Sequence, residues 1–413
     1  MPALPLDGVR VIDLTTVVAG PYATLLLADL GADVIKVEAP VGDVARDLGP
    51  RVNPGMAAVF LNCNRGKRSV VLDLTTDDGR RMLKRLTDTA DVFVHNMRPA
   101  SATRCGADAA TLTEGHPELV HCAISGFGSA GPYRDLPAYD DIVQAASGIA
   151  GAQEWMAGEP MYTASAVADK VSGLTAALAI TAALHRRAVD AGIDGTGAGA
   201  GSVIEVPMAE SLAAFGLLEH LWGRTFVPPR GEARYPRMSS PLRRPFPTAD
   251  GHLSVVVYSD RDWARFFALI GRPDLAGEEK FATLHGRTEH LDELYTLVGE
   301  HLAGDTTAAW FARLTAAGIP AVPYNRVDDL FDDPHFVAVG LLEEVEHPTE
   351  GTLLQCATPI TFDAAHLPLG APAPQLGADT DAVLAPLRLA ADRTAAEDSG
   401  TADSGTARAP TST

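Results

Sequence analysis

One carboxylate stands at the start of a long run of small, mostly apolar residues. The residues from Asp169 to Leu184 are nearly all Ala, Gly, Leu, Ile, Thr and Ser, and Lys170 is the only basic one. This composition predicts a buriable helix whose first N–H groups and positive dipole end keep the carboxylate ionised at neutral pH. An ionised carboxylate can act as a nucleophile, whereas the ordinary role of an Asp at a helix start is to cap it. The local sequence leaves both roles open.

The size and charge of the chain limit the classes of protein to which it can belong. Its 413 residues predict two domains, and a hydrophobic share of 46% is ample for burial. The formal net charge of −20 argues against binding to nucleic acid and to anionic membrane surfaces. An anionic substrate stays compatible with that charge, because binding it needs only a local cluster of Arg and Lys.

The cysteines and the chain start predict the cellular compartment. Cys63, Cys105, Cys122 and Cys356 have no CxxC spacing and no His at metal-ligand spacing. We therefore expect reduced thiols and no metal site. The first eight residues do not resemble a signal peptide, and no uninterrupted apolar run is long enough to span a bilayer. The sequence predicts a soluble, cytoplasmic protein without a membrane partner.

Strand and helix patterns alternate in the first third of the chain, which predicts an α/β fold with a mostly parallel sheet covered on both faces. The expected strands are Val9–Leu14, Val34–Val37, Ser69–Leu74, Asp91–Val94 and Leu119–Ile124, and the expected helices are Tyr22–Leu30 and Asp78–Ala90. Further helices are expected at Tyr139–Gly148, Asp169–Val189 and Ala209–Trp222.

Shifts in composition predict the domain boundaries. A large α/β domain is expected over residues 1–223, and a small α+β domain with its linkers over 224–330. The chain then returns to the large domain over 331–390, and 391–413 is expected to be a disordered tail. The glycine-rich segment Gly192–Gly201 follows a helix and precedes a strand, the reverse of the dinucleotide-binding order. An oxidoreductase is therefore disfavoured.

Several motifs occur in order along residues 4–385. They are Leu6–Leu14, Ala19–Pro21, Leu27–Glu38, Asn64–Ser69, Ser125–Gly128 with Gly131–Pro132, and Ala168–Asp169. Together they resemble the family III CoA-transferases, a group that includes formyl-CoA and carnitine CoA-transferases and 2-methylacyl-CoA racemases. The resemblance implies a Rossmann-like large domain built from both chain ends, a small inserted domain, and a homodimer of two interlocked ring-shaped subunits.

The resemblance also implies a covalent mechanism for Asp169. In the transferases the matching aspartate attacks the thioester carbonyl to form a mixed anhydride, and the CoA thiolate then converts it to an aspartyl-CoA thioester. An acceptor carboxylic acid attacks in turn, so that each intermediate keeps the acyl group activated. By the same resemblance, backbone N–H groups of Thr16–Ala19 are candidates to stabilise the negative charge on the carbonyl oxygen, and the alternative is that this segment only forms a tight strand-to-helix turn. Coenzyme A is then a substrate and product, and no tightly bound cofactor is expected.

Family position also implies which residues bind CoA. Asn96 and Arg104 are expected along the CoA groove, Leu72 and Thr75 near the adenine, and Lys67 and Arg68 near the phosphates. Further contacts with CoA are expected from Thr16, Val17 and Met97, and the active site is expected to be lined by Val18, Ala19 and Tyr139. The alternatives are a solvated surface for the arginines and a turn cap for Asn96.

Tyr139 separates the transferases from the racemases. Racemases pair the aspartate with a His in this segment, as two acid/base groups on opposite faces of the substrate. A tyrosine, with a pKa near 10, is poorly suited to proton exchange at neutral pH, and formyl-CoA-type transferases carry one here. The transferase is favoured, with a racemase or epimerase as the alternative. An acyl-CoA hydrolase and a non-catalytic CoA-binding protein are further alternatives.

Two departures from the formyl-CoA-type pattern bear on the substrate. The small domain has Ser239–Phe246 in place of a glycine run, and Val18 stands in place of a glutamine. Oxalate and formate are therefore doubtful substrates. Arg243 and Arg244 are suited to hold the distal carboxylate of a dicarboxylic acid such as succinate, malate or glutarate, and the alternative is a surface pair at a domain boundary.

Overall fold

The computed structural model describes residues 3–194 and 199–389 of the chain. The expected tail over 391–413 lies outside the described residues. The strands, in chain order, are β1 Arg10–Leu14, β2 Asp33–Glu38, β3 Lys67–Val71, β4 Val92–His95, β5 Val120–Ser125, β6 Ser202–Pro207, β7 Phe246–Pro247, β8 His252–Val255, β9 Ala321–Pro323, β10 Leu342–His347, β11 Gly351–Cys356, β12 Thr361–Phe362 and β13 Ala365–His366.

The helices connect these strands. They are α1 Ala19–Asp29, α2 Ala58–Asn64, α3 Asp77–Thr87, α4 Pro99–Arg104, α5 Ala109–Thr113, α6 Asp140–Ala146, α7 Ile149–Ala157, α8 Val167–Asp194, α9 Met208–His220, α10 Asp260–Leu269, α11 Glu279–Ala282, α12 Leu284–Glu289, α13 Leu291–Leu302, α14 Thr307–Ala316 and α15 Pro334–Ala338. Short 3₁₀ helices complete the connections.

The first six strands form one parallel sheet in the order β3-β2-β1-β4-β5-β6. In the centre, Val11 of β1 pairs with Val34 of β2 and with Val92 of β4. These central strands are buried on both faces, as expected for a parallel sheet whose two sides are covered by helices. The expected α/β fold with a mostly parallel sheet is confirmed, and the carboxyl ends of β1, β4 and β5 lie along one edge.

Helix α8 packs closely against α1 beside this edge. A Cβ atom added at Gly173 would lie 2.7 Å from the Ala19 carbonyl oxygen, and one at Gly20 would lie 2.3 Å from Thr15 Cβ. Glycine at both positions therefore lets the two helices and the preceding turn approach each other. The sequence predicts no segment able to span a bilayer. In the structure, α8 is long and apolar enough over Val167–Gly192 to cross one, by length and composition only. Core helices of soluble proteins share this property.

The chain divides into two units whose boundaries differ from the expected ones. Of the described residues, the first unit holds those up to Val143, those within Ala166–Leu212, and those from Gly340 onward. The second holds Gln144–Ser165 and Ala213–Val339. The boundaries expected at 223/224 and 330/331 thus lie at 212/213 and 339/340. The excursion that contains α7 was missed, because a short helical segment between two helices shows no shift in composition.

The second unit is a small α+β unit, as its strand and helix patterns predicted. Strands β7, β8 and β9 form an antiparallel sheet. Helices α10, α13 and α14 supply most of the core against it. The buried side chains there include Trp263, Phe266, Phe267, Leu294, Val298 and Leu314.

Candidate active site

A cleft of about 340 Å³ opens at the carboxyl ends of β1, β4 and β5, wholly within the first unit. Parallel sheets bind ligands at this edge because the loops that follow the strands meet there. Seven of the residues expected in the site line the cleft: Thr16, Val17, Ala19, Asn96, Met97, Tyr139 and Asp169. The structure therefore brings together residues that are more than 150 positions apart in sequence.

Asp169 is the third residue of α8, and a different residue caps that helix. The Asp140 carboxylate accepts hydrogen bonds from the backbone N–H groups of Ala168 (2.7 Å) and Asp169 (3.1 Å). Within the described chain, no group donates a hydrogen bond to the Asp169 side chain. The capping role is therefore filled by Asp140, and the half-buried carboxylate of Asp169 is left facing the cleft.

The environment of Asp169 raises its pKa, contrary to the expectation from the helix dipole. Burial, with a smaller contribution from the neighbouring Asp140 carboxylate, raises the pKa of Asp169 from 3.8 to about 6. Asp140 occupies the N–H groups that would otherwise have stabilised the charge of Asp169. The carboxylate is still roughly nine-tenths ionised at pH 7, and its higher basicity suits a nucleophile.

The turn between β1 and α1 forms another part of the cleft wall. The Asn96 side chain accepts a hydrogen bond from Thr16 N–H (3.0 Å) and donates one to the Thr16 carbonyl (2.9 Å). The next residue, Val17, has φ +71° and donates its N–H to Asp43 Oδ1 at 3.1 Å. The N–H groups of Thr16 and Val17 are therefore occupied by protein acceptors, and they cannot serve as the expected oxyanion donors.

The remaining N–H groups of this turn belong to the first residues of α1. Val18 occupies the N-cap position, where no side chain caps the helix. Among the described residues, none accepts a hydrogen bond from the backbone N–H of Val18, Ala19 or Gly20. Helix N-termini of this kind attract negative charge. The expected oxyanion donors of Thr16–Ala19 are thus narrowed to Val18 and Ala19, with Gly20 added.

The structure contradicts the role expected for Lys67. Its side chain is fully buried, and the ammonium group donates hydrogen bonds to Asp13 Oδ2 (3.0 Å), Thr24 Oγ1 (2.8 Å) and Asn64 Oδ1 (2.9 Å). Burial lowers the pKa of Lys67 to about 8 despite the attraction of Asp13. A lysine that already satisfies several internal acceptors presents no charge to a phosphate, so Lys67 is a residue of the core.

The position of Arg68 does not support the expected contact with the CoA phosphates, which stays a prediction. Arg68 lies near the start of β3 and forms a bidentate ion pair with Asp33 at the start of β2. Because the strands are parallel, both residues lie at the amino edge of the sheet, whereas the cleft lies at the carboxyl edge. Neither Lys67 nor Arg68 is among the described residues that line the cleft.

Four other residues expected in the site do not line the cleft. Leu72 and Thr75 follow the carboxyl end of β3, where Leu72 is buried in the core and Thr75 bonds to Asp73. Arg104 ends α4 and donates a hydrogen bond to Ser101. Val18 precedes α1, next to the cleft-lining Val17 and Ala19. Their expected contacts with CoA or substrate therefore stay predictions.

Tyr139 is exposed on the cleft wall, immediately before α6. The residues lining the cleft include no histidine. His95 and His121 are close in sequence to the cleft residues Asn96 and Ile124. Both histidines are buried, however, and their rings contact each other and Phe93. The described part of the chain thus offers no His–Asp pair at Asp169.

Arg243 and Arg244 lie in the second unit, where they line a small pocket with Arg237 and Tyr295. In the described chain, none of the three arginines forms an ion pair with a carboxylate. Sequence reasoning missed Arg237, which lies six positions before Arg243. It also missed Asp140, although its position next to Tyr139 was within the same motif, and Arg98 and Arg134, which supply positive charge to the cleft.

Comparison with known proteins agrees with this fold. The model of CoA-transferase family III matches residues 6–380. The chain is 36% identical over 399 residues to a succinate–glutarate CoA-transferase of Agrobacterium fabrum, covering 93% of this chain and 96% of that protein. It is 30% identical to human succinyl-CoA:glutarate CoA-transferase, covering 94% and 87% of the two chains. The chain belongs to CoA-transferase family III.

Solved structures show the same architecture. A CaiB/BaiF family protein of Brucella suis superposes with a TM-score of 0.75 at 32% identity, covering 93% of this chain and 99% of that one. The chain is therefore a family III CoA-transferase in fold as well as in sequence, and an enzyme that acts on acyl-CoA.

Proposed function

We propose that this enzyme transfers CoA from an acyl-CoA thioester to a carboxylic acid, with Asp169 as the covalent nucleophile. The observation that carries this proposal is the state of Asp169. Its carboxylate faces the cleft without a hydrogen-bond donor, because Asp140 caps α8 in its place. A carboxylate that does not cap its helix, accepts no hydrogen bond from the described residues and has a raised pKa is suited to act as a nucleophile.

The proposed reaction begins when an Asp169 oxygen attacks the thioester carbonyl. The C–S bond breaks, the CoA thiolate leaves, and a mixed anhydride remains. The thiolate then attacks the Asp169 carbonyl carbon and expels the donor acid as its carboxylate, which leaves an aspartyl-CoA thioester. The acceptor carboxylate repeats both steps in reverse order, so Asp169 is regenerated and no proton, oxidant or cofactor is consumed.

The N-terminus of α1 is proposed to stabilise the negative charge of each tetrahedral intermediate. The N–H groups of Val18, Ala19 and Gly20 have no acceptor within the described protein, and Ala19 lines the cleft with Asp169. Donors that are already oriented cost no reorganisation when the charge develops. Asn96 and Met97, which follow β4 and also line the cleft, are proposed to contact the CoA moiety.

A dicarboxylic acid is the proposed acceptor. The relatives from Agrobacterium fabrum and human are named for succinate or succinyl-CoA and for glutarate. Arg243 and Arg244, together with Arg237, line a pocket whose described lining includes no acidic side chain, and guanidinium groups bind carboxylates in bidentate fashion. Replacing Arg243 and Arg244 by alanine should raise the KM for glutarate but not for a monocarboxylic acid such as butyrate. A KM for glutarate that is the same in the variant and the wild type would contradict this assignment.

Trapping tests the covalent mechanism directly. Protein incubated with succinyl-CoA and then with hydroxylamine should carry a modification at Asp169, found by peptide mass spectrometry and absent from Asp169→Ala. A racemase or epimerase would leave Asp169 unmodified and exchange the substrate α-proton in deuterated water. A hydrolase would release CoA without an acceptor acid, and a non-catalytic binding protein would bind CoA equally well after the Asp169→Ala substitution.

We also propose that the enzyme is a cytoplasmic homodimer of interlocked subunits, as the family resemblance implies. Leu174 and Leu178 support an intersubunit contact in the first unit, because both are apolar side chains of α8 that are more than half exposed. Light scattering during size-exclusion chromatography should give twice the chain mass of 43.3 kDa. A monomer at micromolar concentration would contradict this proposal.

A further inference from the structure

Val17 adopts a backbone conformation that a β-branched residue rarely accepts. Its φ of +71° lies in the left-handed region, where the Cβ atom of an L-residue meets the neighbouring carbonyl groups. Such a conformation persists only where the surrounding structure determines it, and it is found most often at functional sites. Val17 lines the same cleft as Asp169 and directly precedes the N–H groups at the start of α1.

Two buried charged residues bond to the backbone of this turn. The Lys36 ammonium donates hydrogen bonds to the Thr15 carbonyl oxygen at 2.8 Å and to Asp43 Oδ2 at 2.9 Å. The other oxygen of Asp43 accepts the Val17 N–H at 3.1 Å. Both side chains of the ion pair have zero exposure to solvent. Lys36 therefore bonds to the backbone before Thr16, and Asp43 bonds to the backbone after it.

The elements that carry the pair explain its rigidity. Lys36 lies on β2, directly beside Asp13 of β1 in the parallel register. Asp43 caps the following 3₁₀ helix through Ala45 N–H at 2.9 Å, and its own N–H donates to Glu38. The pair is thus anchored in the sheet through Lys36 and in the next helical turn through Asp43. Both anchors can support the strained backbone at Val17.

We propose that Lys36 and Asp43 are positioning residues for CoA transfer, which hold Val17 in its left-handed conformation and thereby aim the Val18–Gly20 N–H groups at the reacting carbonyl. This inference rests on the proposed function and adds a role that the cleft residues alone do not reveal. Neither side chain reaches solvent, so neither can touch the substrate. The pair acts through the backbone of the turn.

A purely structural role is the competing explanation, and the chain offers a matched control for it. Arg65 and Asp29 form another buried bidentate ion pair, with both side chains 4% exposed. Asp29 ends α1, so this pair lies about 15 Å along that helix from Ala19, at a rise of 1.5 Å per residue. Neutralising it should lower stability without moving the turn.

The test compares three variants with the wild type. In Lys36→Met/Asp43→Asn both charges are removed together, which avoids an unpaired buried charge and favours folding. The second variant adds Val17→Gly, because glycine adopts a positive φ without strain. The third, Arg65→Met/Asp29→Asn, is the control. Steady-state kinetics with succinyl-CoA and glutarate give kcat and KM, and hydrogen exchange reports the amides of residues 15–20.

The proposal makes distinct predictions for each variant. The Lys36/Asp43 double variant should lose about 10- to 100-fold in kcat with little change in the KM for succinyl-CoA, because a small misplacement of catalytic groups has that effect. Its 15–20 amides should exchange faster. Adding Val17→Gly should recover most of the lost kcat, whereas the Arg65/Asp29 control should retain wild-type kcat.

Unchanged kcat in the double variant, or a loss that Val17→Gly does not recover, would overturn the proposal. An equal loss of kcat in the Arg65/Asp29 control would also overturn it, since general destabilisation would then explain the effect. Failure of the proposed function is seen separately, as a wild-type protein that transfers no CoA. In that case the hydrogen-exchange comparison still decides whether the pair holds the turn.

Discussion

Replacing Asp169 by asparagine should stabilise the protein while it abolishes CoA transfer. The carboxylate is half-buried, accepts no hydrogen bond from the described residues, and faces the Asp140 carboxylate. Folding therefore moves a charge from water into a place that disfavours it. An isosteric amide keeps the shape of the side chain and removes that charge, so the variant separates the cost of the charge from the packing of the site.

The size of the effect follows from the pKa. The folded-state pKa of about 6 exceeds the ordinary value of 3.8, so the folded protein binds this proton more tightly than the unfolded chain does. The stability lost to ionisation is small below pH 4, grows as the pH rises through 6, and is then constant. At 1.36 kcal/mol per pH unit it reaches about 3 kcal/mol at pH 8 and about 1.6 kcal/mol at pH 5.

Hydrogen exchange of buried amides in α8 measures this difference where it arises. All four tryptophans lie in the second unit, so their fluorescence would not report on Asp169. The gain of Asp169→Asn should be about 1.4 kcal/mol larger at pH 8 than at pH 5. Any packing effect of the amide is independent of pH and cancels in that comparison. A gain that does not change with pH, or a loss at pH 8, would refute the reasoning.

Three further predictions rest on neighbouring contacts. Asp140→Asn should shift the acidic limb of kcat/KM, set by the Asp169 pKa near 6, to lower pH, and pH profiles of both proteins would show an unmoved limb if Asp140 does not contribute. Gly173→Ala should destabilise the first unit by about 1–3 kcal/mol, since its Cβ would lie 2.7 Å from the Ala19 carbonyl oxygen, and an unchanged melting temperature would contradict this. Burial, aided by His121, lowers the pKa of His95 to about 3, so at pH 5 the unfolded chain binds a proton that the folded protein does not, which costs about 2 kcal/mol of stability. Denaturation of His95→Gln at pH 5 and pH 7 should show that this loss of stability in acid is removed.

The parallel sheet could be predicted from the sequence because most of its strands contain a short apolar run, and strand and helix patterns alternate along the chain. Arg10–Leu14 and Val120–Ser125 are buried on both faces, and such strands need no partner information to be found. Asp169 could also be placed at the start of a long helix. These features depend on local composition, which the sequence carries in full.

Side-chain direction could not be predicted in the same way. Lys67 and Arg68 are neighbours on β3, so the strand turns them to opposite faces, and neither reaches the carboxyl edge. The helix dipole correctly predicts a favourable place for negative charge at α8. Which carboxylate occupies that place, Asp140 or Asp169, depends on the packing of α6 against α8 and cannot be read from the spacing.

Two aspartates of the first unit show how environment decides the role of one residue type. Asp13 is fully buried, and although burial opposes its charge, Lys67 and Lys36 together with two threonine hydroxyls lower its pKa to about 2. Asp169 receives no such hydrogen bond, and burial beside Asp140 raises its pKa to about 6. The first charge is neutralised and serves the core. The second charge receives no hydrogen bond from the described residues, and its ionisation costs stability, a combination that supports the proposed role of Asp169 as the nucleophile.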